Sequence, residues 1–410
     1  MPNRTVLISG AGIAGPTLAW WLRRDGITPT LVEAAPAPRT GGYIMDFWGV
    51  GYDVAERMDL VPTLRRVGYH LEEVRIVDAR GHRVAGFRTN AFDAATGGRY
   101  LSILRGDLAA AIFERIARRG GELVAARDSE AVETIFGDSI TRLEQDDDGV
   151  DVTFEHAPPR RFDLVVGADG LHSNTRRLAF RAGTGAEHHE KFLGYYTAAF
   201  STSHYPHRDE GVYVSYAVPG RQVARYALRD DRAAFFLILA AEQPLAIDHR
   251  DAAQQRRILH DSFAGIGWEM DEILRAMDSA DDLYFDSVAQ ARLPHWSRGR
   301  VVLIGDAAYC PSLIAGQGSA FAMAGAYVLA HELAVAGRDH RVAFEAYERR
   351  FKPFIDAKQQ AAEKFGGWFA PRTPLKLALR NLATRAMAVP LLGEWMIGRS
   401  LADRFELPNA

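Results

Sequence analysis

The chain has 410 residues, too many for one ordinary hydrophobic core, so about two or three domains are expected. Its 49 basic residues nearly balance 52 acidic ones, which argues against nucleic acid or an anionic membrane surface as a main partner. A lone cysteine, Cys310, excludes an intrachain disulfide, no Cys/His group has zinc-ligand spacing, and a cytoplasmic protein is the default.

In chain order, the first informative stretch is Val6-Leu-Ile-Ser-Gly10-Ala11-Gly12-Ile13-Ala14-Gly15. An amphipathic run to Arg24 follows, then a second strand-like run, Thr30 to Glu33. The spacing is a dinucleotide fingerprint. Gly10 suits the tight turn, Gly12 the close approach of a pyrophosphate, and Gly15 the packing of helix on strand. Glu33 closes the second strand, where an acid accepts hydrogen bonds from an adenosine ribose. The uncharged run from Val6 to Leu22 is not read as a secretory leader, because glycines and Pro16 interrupt it and no small-residue cleavage site follows.

Residues 34–43 form a loop rich in proline and glycine, in which Arg39 is either solvated or within reach of a diphosphate. Val50 to Leu64 reads as a helix and Leu71 to Phe87 as short strands. Arg105 precedes an apolar-periodic helix, Leu108 to Ala117, as a surface charge or as a contact to a cofactor chain. Residues 122–126, 131–136, 139–145 and 150–154 are strand-like, and an apolar strand from Phe162 ends in Gly-Ala-Asp169-Gly170.

From Phe192 to Ala240 the pattern changes to antiparallel strands with tight turns, read as an inserted domain whose aromatics, Phe236 among them, are core by default or, on one face, the wall of an apolar pocket. Asp251 to Ala276 is helical, and Leu283 to Leu293 returns a strand to the first domain. Val301 to Ile304 is a buried strand, Gly305-Asp306 breaks it, and Gly316-Gln317-Gly318 opens the alanine-rich helix Ser319 to Ala336. A helix start there offers unpaired N–H groups to an anionic ring edge. An amphipathic helix, Arg341 to Phe365, and broken helices to Asp403 complete the chain. The apolar run at Ala386 to Ile397 is too short and interrupted for a span.

The fingerprint with Glu33, the Asp169-Gly170 element, and Asp306 with Gly316 and Gly318, in this order, resemble the single-component FAD-dependent monooxygenases. These are the p-hydroxybenzoate hydroxylase type, with tetracycline-inactivating and polyketide-tailoring members. The resemblance implies an α/β fold: a Rossmann-like FAD-binding domain with a mixed sheet at 1–72, 98–180 and 283–345. An antiparallel-sheet substrate domain at 73–97 and 181–282 and a C-terminal helical segment at 346–410 would complete it.

It implies FAD as cofactor and NAD(P)H as a transient co-substrate. Residues 10–15 and Glu33 would hold the adenosine diphosphate, Arg39 and Arg105 the diphosphate and ribityl regions, and Asp306 the ribityl hydroxyls. Asp169 would serve both FAD and the nicotinamide cofactor, with Gly316, Gln317 and Gly318 against the flavin ring. The substrate would be a bulky aromatic or polyketide-like small molecule, with neither nucleic acid nor an integral membrane segment involved.

The chain departs from the family where it carries Tyr309 for a histidine, Ser312-Leu313 for a proline pair, Ala320 for an asparagine and Ala324-Gly325 for an acid. A non-redox cyclase that keeps FAD as a scaffold is the alternative expectation. A flavin halogenase ranks low, since no Trp-x-Trp-x-Ile-Pro segment occurs. No catalytic base stands out; Asp46, His295 and several tyrosines qualify by type only.

Overall fold

The computed structural model describes residues 4–38, 41–119, 122–123, 131–180, 189–248, 251–313, 316–337, 339–388 and 405–409. Short runs rich in β-branched residues build one sheet, in the order Ser297–Arg298, Val301–Leu303, Leu164–Gly167, Thr5–Ser9, Thr28–Glu33 and Glu133–Phe136. All its pairings are parallel except that of the Ser297–Arg298 edge. Ser9 lies beside Gly167 and Gly167 beside Leu303, so the turns that leave these three strands meet at one sheet edge.

The helix Gly318–Val335 runs through the core and packs on Ala14–Arg24, Val50–Arg57 and His340–Phe369. Small residues allow the approach: a Cβ on Gly51 would lie 2.5 Å from the Ala320 Cα. By length and composition it is the one described helix able to cross a membrane, but 72% of it is buried in the protein core.

The second sheet has seven strands, in the order Tyr284–Ala291, Glu190–Ser203, Arg232–Ala240, Arg221–Ala227, Val212–Val218, Glu73–Val77 and Arg83–Arg88. Only Val212–Val218 with Glu73–Val77 is parallel. Phe200, Phe235, Leu259, Ile273 and Met277 bind this sheet to the helices Ala252–Phe263 and Met270–Asp278.

The strand Tyr284–Ala291, expected in the first domain, instead pairs antiparallel with Glu190–Ser203. Asp286, Ser287 and Gln290 interrupt its apolar run, as suits an antiparallel sheet rather than a parallel strand sandwiched between helices. Two expected helices also divide. Asp59, at φ +53°, separates Val50–Arg57 from Val61–Val67, and Gly265 and Gly267, at φ +71° and +98°, separate the 252–263 and 270–278 helices. Most of the expected strand at 122–126, and the helices expected between 389 and 404, lie outside the described residues.

Between the sheets runs a ribbon of Ile44–Trp48 paired antiparallel with Tyr100–Leu104. Alternation sends Met45, Phe47 and Ile103 into the core around the 318–335 helix. Ile44 and Leu104 pack instead with Tyr226 of the second sheet, so Asp46 and its cross-strand partner Ser102 face that side.

Candidate active site

Gly10 stands at φ +109°, and a Cβ there would lie 2.4 Å from the Ala168 carbonyl oxygen. A Cβ on Gly15 would lie 2.0 Å from the Gly10 oxygen. These two glycines let the first loop press against the Asp169 turn and its own helix. Gly12 differs, since a Cβ there would meet only the Arg105 Nη2, 3.8 Å away. Ile13, the N-cap of Ala14–Arg24, makes no side-chain cap bond and no acid occupies the first turn. An open loop, a helix N-terminus and an arginine together fit a pyrophosphate group. Glu33 accepts from the Ala11 N–H at 2.8 Å and the Ala35 N–H at 2.9 Å, holding the loop to the end of the second strand.

The Arg105 N–H donates to the Tyr43 carbonyl at 3.0 Å, and the arginine's charge acts on Asp306. It therefore stands beside Gly12 and Asp306. Arg39 lies outside the described residues. Gly305, at φ +60°, turns the chain into Asp306, and a Cβ on it would lie 3.0 Å from the Ala14 Cβ, joining this turn to the first loop. Burial raises the Asp306 carboxyl, while Arg105 and a bond from Cys310 oppose the rise.

Gly316 sits at φ +68° with open space where its Cβ would be. Gln317 is the N-cap of Gly318–Val335, again with no side-chain cap bond and no acid in the first turn. The Cβ position of Gly318 lies 3.7 Å from the Asp306 Oδ1. The helix start and Asp306 therefore flank one cleft.

Asp169 is committed locally. It accepts from the Ser173 hydroxyl, from the Thr175 N–H and hydroxyl at 2.8 Å each, and from the Ser9 hydroxyl at 3.5 Å. This fastens the second turn to the first strand. Three residues on, His172 crosses to the second sheet, with Nε2 3.1 Å from both Asp286 oxygens and Nδ1 3.2 Å from Glu190. Arg176 donates to Glu190 at 2.5 Å and to the Ala307 carbonyl at 2.9 Å, so one cluster ties both turns to the inserted sheet.

Tyr43 stands 6.1 Å from both Phe236 and Tyr284, ring to ring, where the second sheet meets the cleft. Burial pushes the Tyr43 hydroxyl up to about 12. Further along the ribbon, Asp46 accepts from the Tyr100 hydroxyl at 2.6 Å and the Ser102 hydroxyl at 2.8 Å. It keeps accessible surface, yet desolvation raises its carboxyl against those two bonds. Tyr213 and Tyr226, whose hydroxyls feel the Asp46 charge, stand on the facing sheet. On the opposite face of the ribbon, the Met45 Sδ accepts from the Ser319 hydroxyl at 3.1 Å, just past the 316–318 loop.

Phe236 belongs to the aromatic set of the inserted sheet, whereas Tyr43 and Tyr284 are reached by no sequence signal for a site residue. His295 faces solvent, 77% exposed and paired with Glu348, and takes no part. Tyr309 is buried among Trp296, Tyr347 and Phe351. Among the described residues no group of three His, Cys, Asp or Glu could hold a metal ion.

The FAD binding domain family matches residues 121–362. An uncharacterized protein of Mycobacterium tuberculosis is 38% identical over 87% of this chain and 92% of its own length. A flavin-dependent monooxygenase from an unknown prokaryotic organism is 35% identical over 95% of this chain and all of its own. The crystal structure of tetracycline destructase Tet(51) aligns over the whole of both chains, with a TM-score of 0.83 and 32% identity. Klebsiella pneumoniae HpxO, crystallised with FAD and uric acid, shares the fold at a TM-score of 0.76 and 22% identity. Likeness of this extent, over the same cleft that fits a dinucleotide, leaves one assignment: the chain belongs to the single-component FAD-dependent monooxygenases.

Proposed function

We propose that the enzyme consumes NAD(P)H and adds an oxygen atom to a bulky aromatic or polyketide-like small molecule, in the cytoplasm and in secondary metabolism. The observation that carries this is the meeting of the cleft at Gly12, Arg105, Asp306 and Gly318 with the rings of Tyr43 and of Phe236 and Tyr284 from the second sheet. Apolar walls with few polar groups suit a fused-ring ligand. The relative Tet(51) is a tetracycline destructase, which makes fused-ring polyketides the first substrates to try.

FAD, when bound, supplies hydride acceptance and the transfer of one oxygen atom from O2. In this reading the open side of Gly12, the Ala14–Arg24 N-terminus and Arg105 bind the diphosphate, and Glu33 the adenosine end. Asp306 takes the ribityl hydroxyls. The start of the 318–335 helix favours negative charge on the reduced ring. Tyr43, Phe236 and Tyr284 keep water out of the cleft. The Asp169 turn serves FAD and a visiting nicotinamide cofactor, which fits the lack of a second glycine fingerprint.

The test is an anaerobic titration of the yellow protein with NADPH and then NADH, following flavin absorbance with and without tetracycline or hydroxyanthraquinones. Bleaching that a ligand accelerates supports the monooxygenase. Oxidised flavin that persists while product still forms transfers the reading to the non-redox cyclase.

A further inference from the structure

The helix Pro374–Ala386 is amphipathic in the wrong sense for a water-soluble surface. Its buried residues are Arg380 and Thr384, each 5% exposed, whereas Leu375, Leu379 and Leu382 are 70%, 55% and 61% exposed. Spaced four and three apart, the leucines share one face. The inward face docks through polar bonds instead: Arg380 donates to the Gln222 Oε1 at 2.7 Å and to the Phe369 carbonyl at 3.1 Å. Thr384 bonds back to the Arg380 carbonyl at 2.9 Å. Among the described residues the three leucines stand outside this docking.

Charge says what would cover that face. From residue 364 to 393 there is no Asp or Glu but there are five Lys or Arg, in a chain whose net charge is −3. Arg372, Lys376 and Arg385 of this set are exposed, Arg372 donating to the Gly194 and Ala241 carbonyls and Arg385 to the Val84 carbonyl. The near-neutral total, which argued against a membrane partner, hides this local excess. A second copy of the chain would bring like charges together, at a cost. Anionic lipid satisfies both features, with leucines in the acyl boundary and cations at the headgroups.

We propose that the outward face of Pro374–Ala386 seats the protein on an anionic lipid bilayer, with the helix lying in the interfacial plane. Gln222, which Arg380 holds, bonds in turn to the Tyr213 hydroxyl of the second sheet, so the helix is fastened to that sheet.

The test is co-sedimentation of the FAD-loaded protein with vesicles of phosphatidylcholine alone or mixed equally with phosphatidylglycerol. Wild type binds the anionic vesicles at least about tenfold better. Leu375→Ser with Leu379→Ser and Leu382→Ser lowers that binding about tenfold while flavin content and Tm stay unchanged. Lys376→Glu, at an exposed site, lowers it about fivefold and guards against a folding defect in the triple variant. Wild type that binds neither vesicle, or a triple variant that binds as wild type does, overturns the proposal. A lipid-free dimer that the triple variant converts to monomer also overturns it, and gives the face to a second copy.

Discussion

The Tyr309 hydroxyl lies 1.9 Å from the place a Cβ on Gly325 would take, so these two residues form one steric unit. The Tyr309 ring packs 4.7 Å from Trp296 and edge-on to Phe351 at 5.4 Å, and its hydroxyl reaches the Phe321 carbonyl at 3.5 Å. The glycine at 325 is what admits the Tyr309 side chain to this part of the core.

Gly325→Ala tests this by its sign. At an open helical position the change would stabilise by up to about 1 kcal/mol. Against the Tyr309 hydroxyl it is expected to cost about 1–3 kcal/mol in urea unfolding. Tyr309→Phe in the same chain should recover much of the loss, and strict additivity of the two changes would refute the pairing.

Gly10 and Gly12 should fail in different ways. Gly10→Ala forces a Cβ against the Ala168 carbonyl at φ +109°, and a loss of about 2–4 kcal/mol is expected whether or not FAD is present. Gly12→Asp meets only the mobile end of Arg105, so the chain folds, but its carboxylate occupies and repels the pyrophosphate position. The expected product is folded and colourless, by circular dichroism and flavin absorbance. Full flavin occupancy in Gly12→Asp would overturn the diphosphate assignment.

These contrasts show what local sequence carries. Gly10, Gly15 and Gly305 were legible because a tight turn writes its requirement into one position. The order of strand, turn and helix around Asp169 and Asp306 was legible for the same reason. Pairing across long separations was not. Tyr284–Ala291 joins Glu190–Ser203 through a register that its own apolar pattern does not encode. Asp46 could be named only by type, because its chemistry comes from Tyr100 and Ser102, more than fifty positions away. His172 meets Asp286 over a still longer separation.

That His172 cluster sets a pH dependence. Bonds to Asp286 and Glu190 outweigh desolvation and raise the imidazole from 6.5 to about 10. Arg176, paired with Glu190, is the other charge in the cluster. For a group whose folded value is raised, the stabilisation is complete below its unfolded value and fades as pH rises through the folded one. His172→Gln should therefore lower Tm most at pH 6, with the gap closing between about 6.5 and about 10. A gap that is constant from pH 6 to 10 would mean that the imidazolium does not tie the turn to the inserted sheet.

Asp46 presents the opposite balance. Its carboxyl is also raised, by desolvation that outweighs the bonds from Tyr100 and Ser102, so the ionised form is the costly one. By the same linkage, stability is greatest below the unfolded value of 3.8 and falls as pH rises through the folded one. Asp46→Asn keeps an oxygen for both hydroxyls and sheds the charge. It is expected to raise Tm by about 1–3 °C at pH 7–8 and to match wild type near pH 4. A carboxylate kept at a cost in stability, on the ribbon face turned to Tyr213 and Tyr226, points to use on a ligand hydroxyl. The same variant should then lose about 10–100-fold in kcat/KM on a phenolic substrate, with flavin content unchanged. Equal activity in a more stable Asp46→Asn enzyme would remove this carboxylate from the reaction.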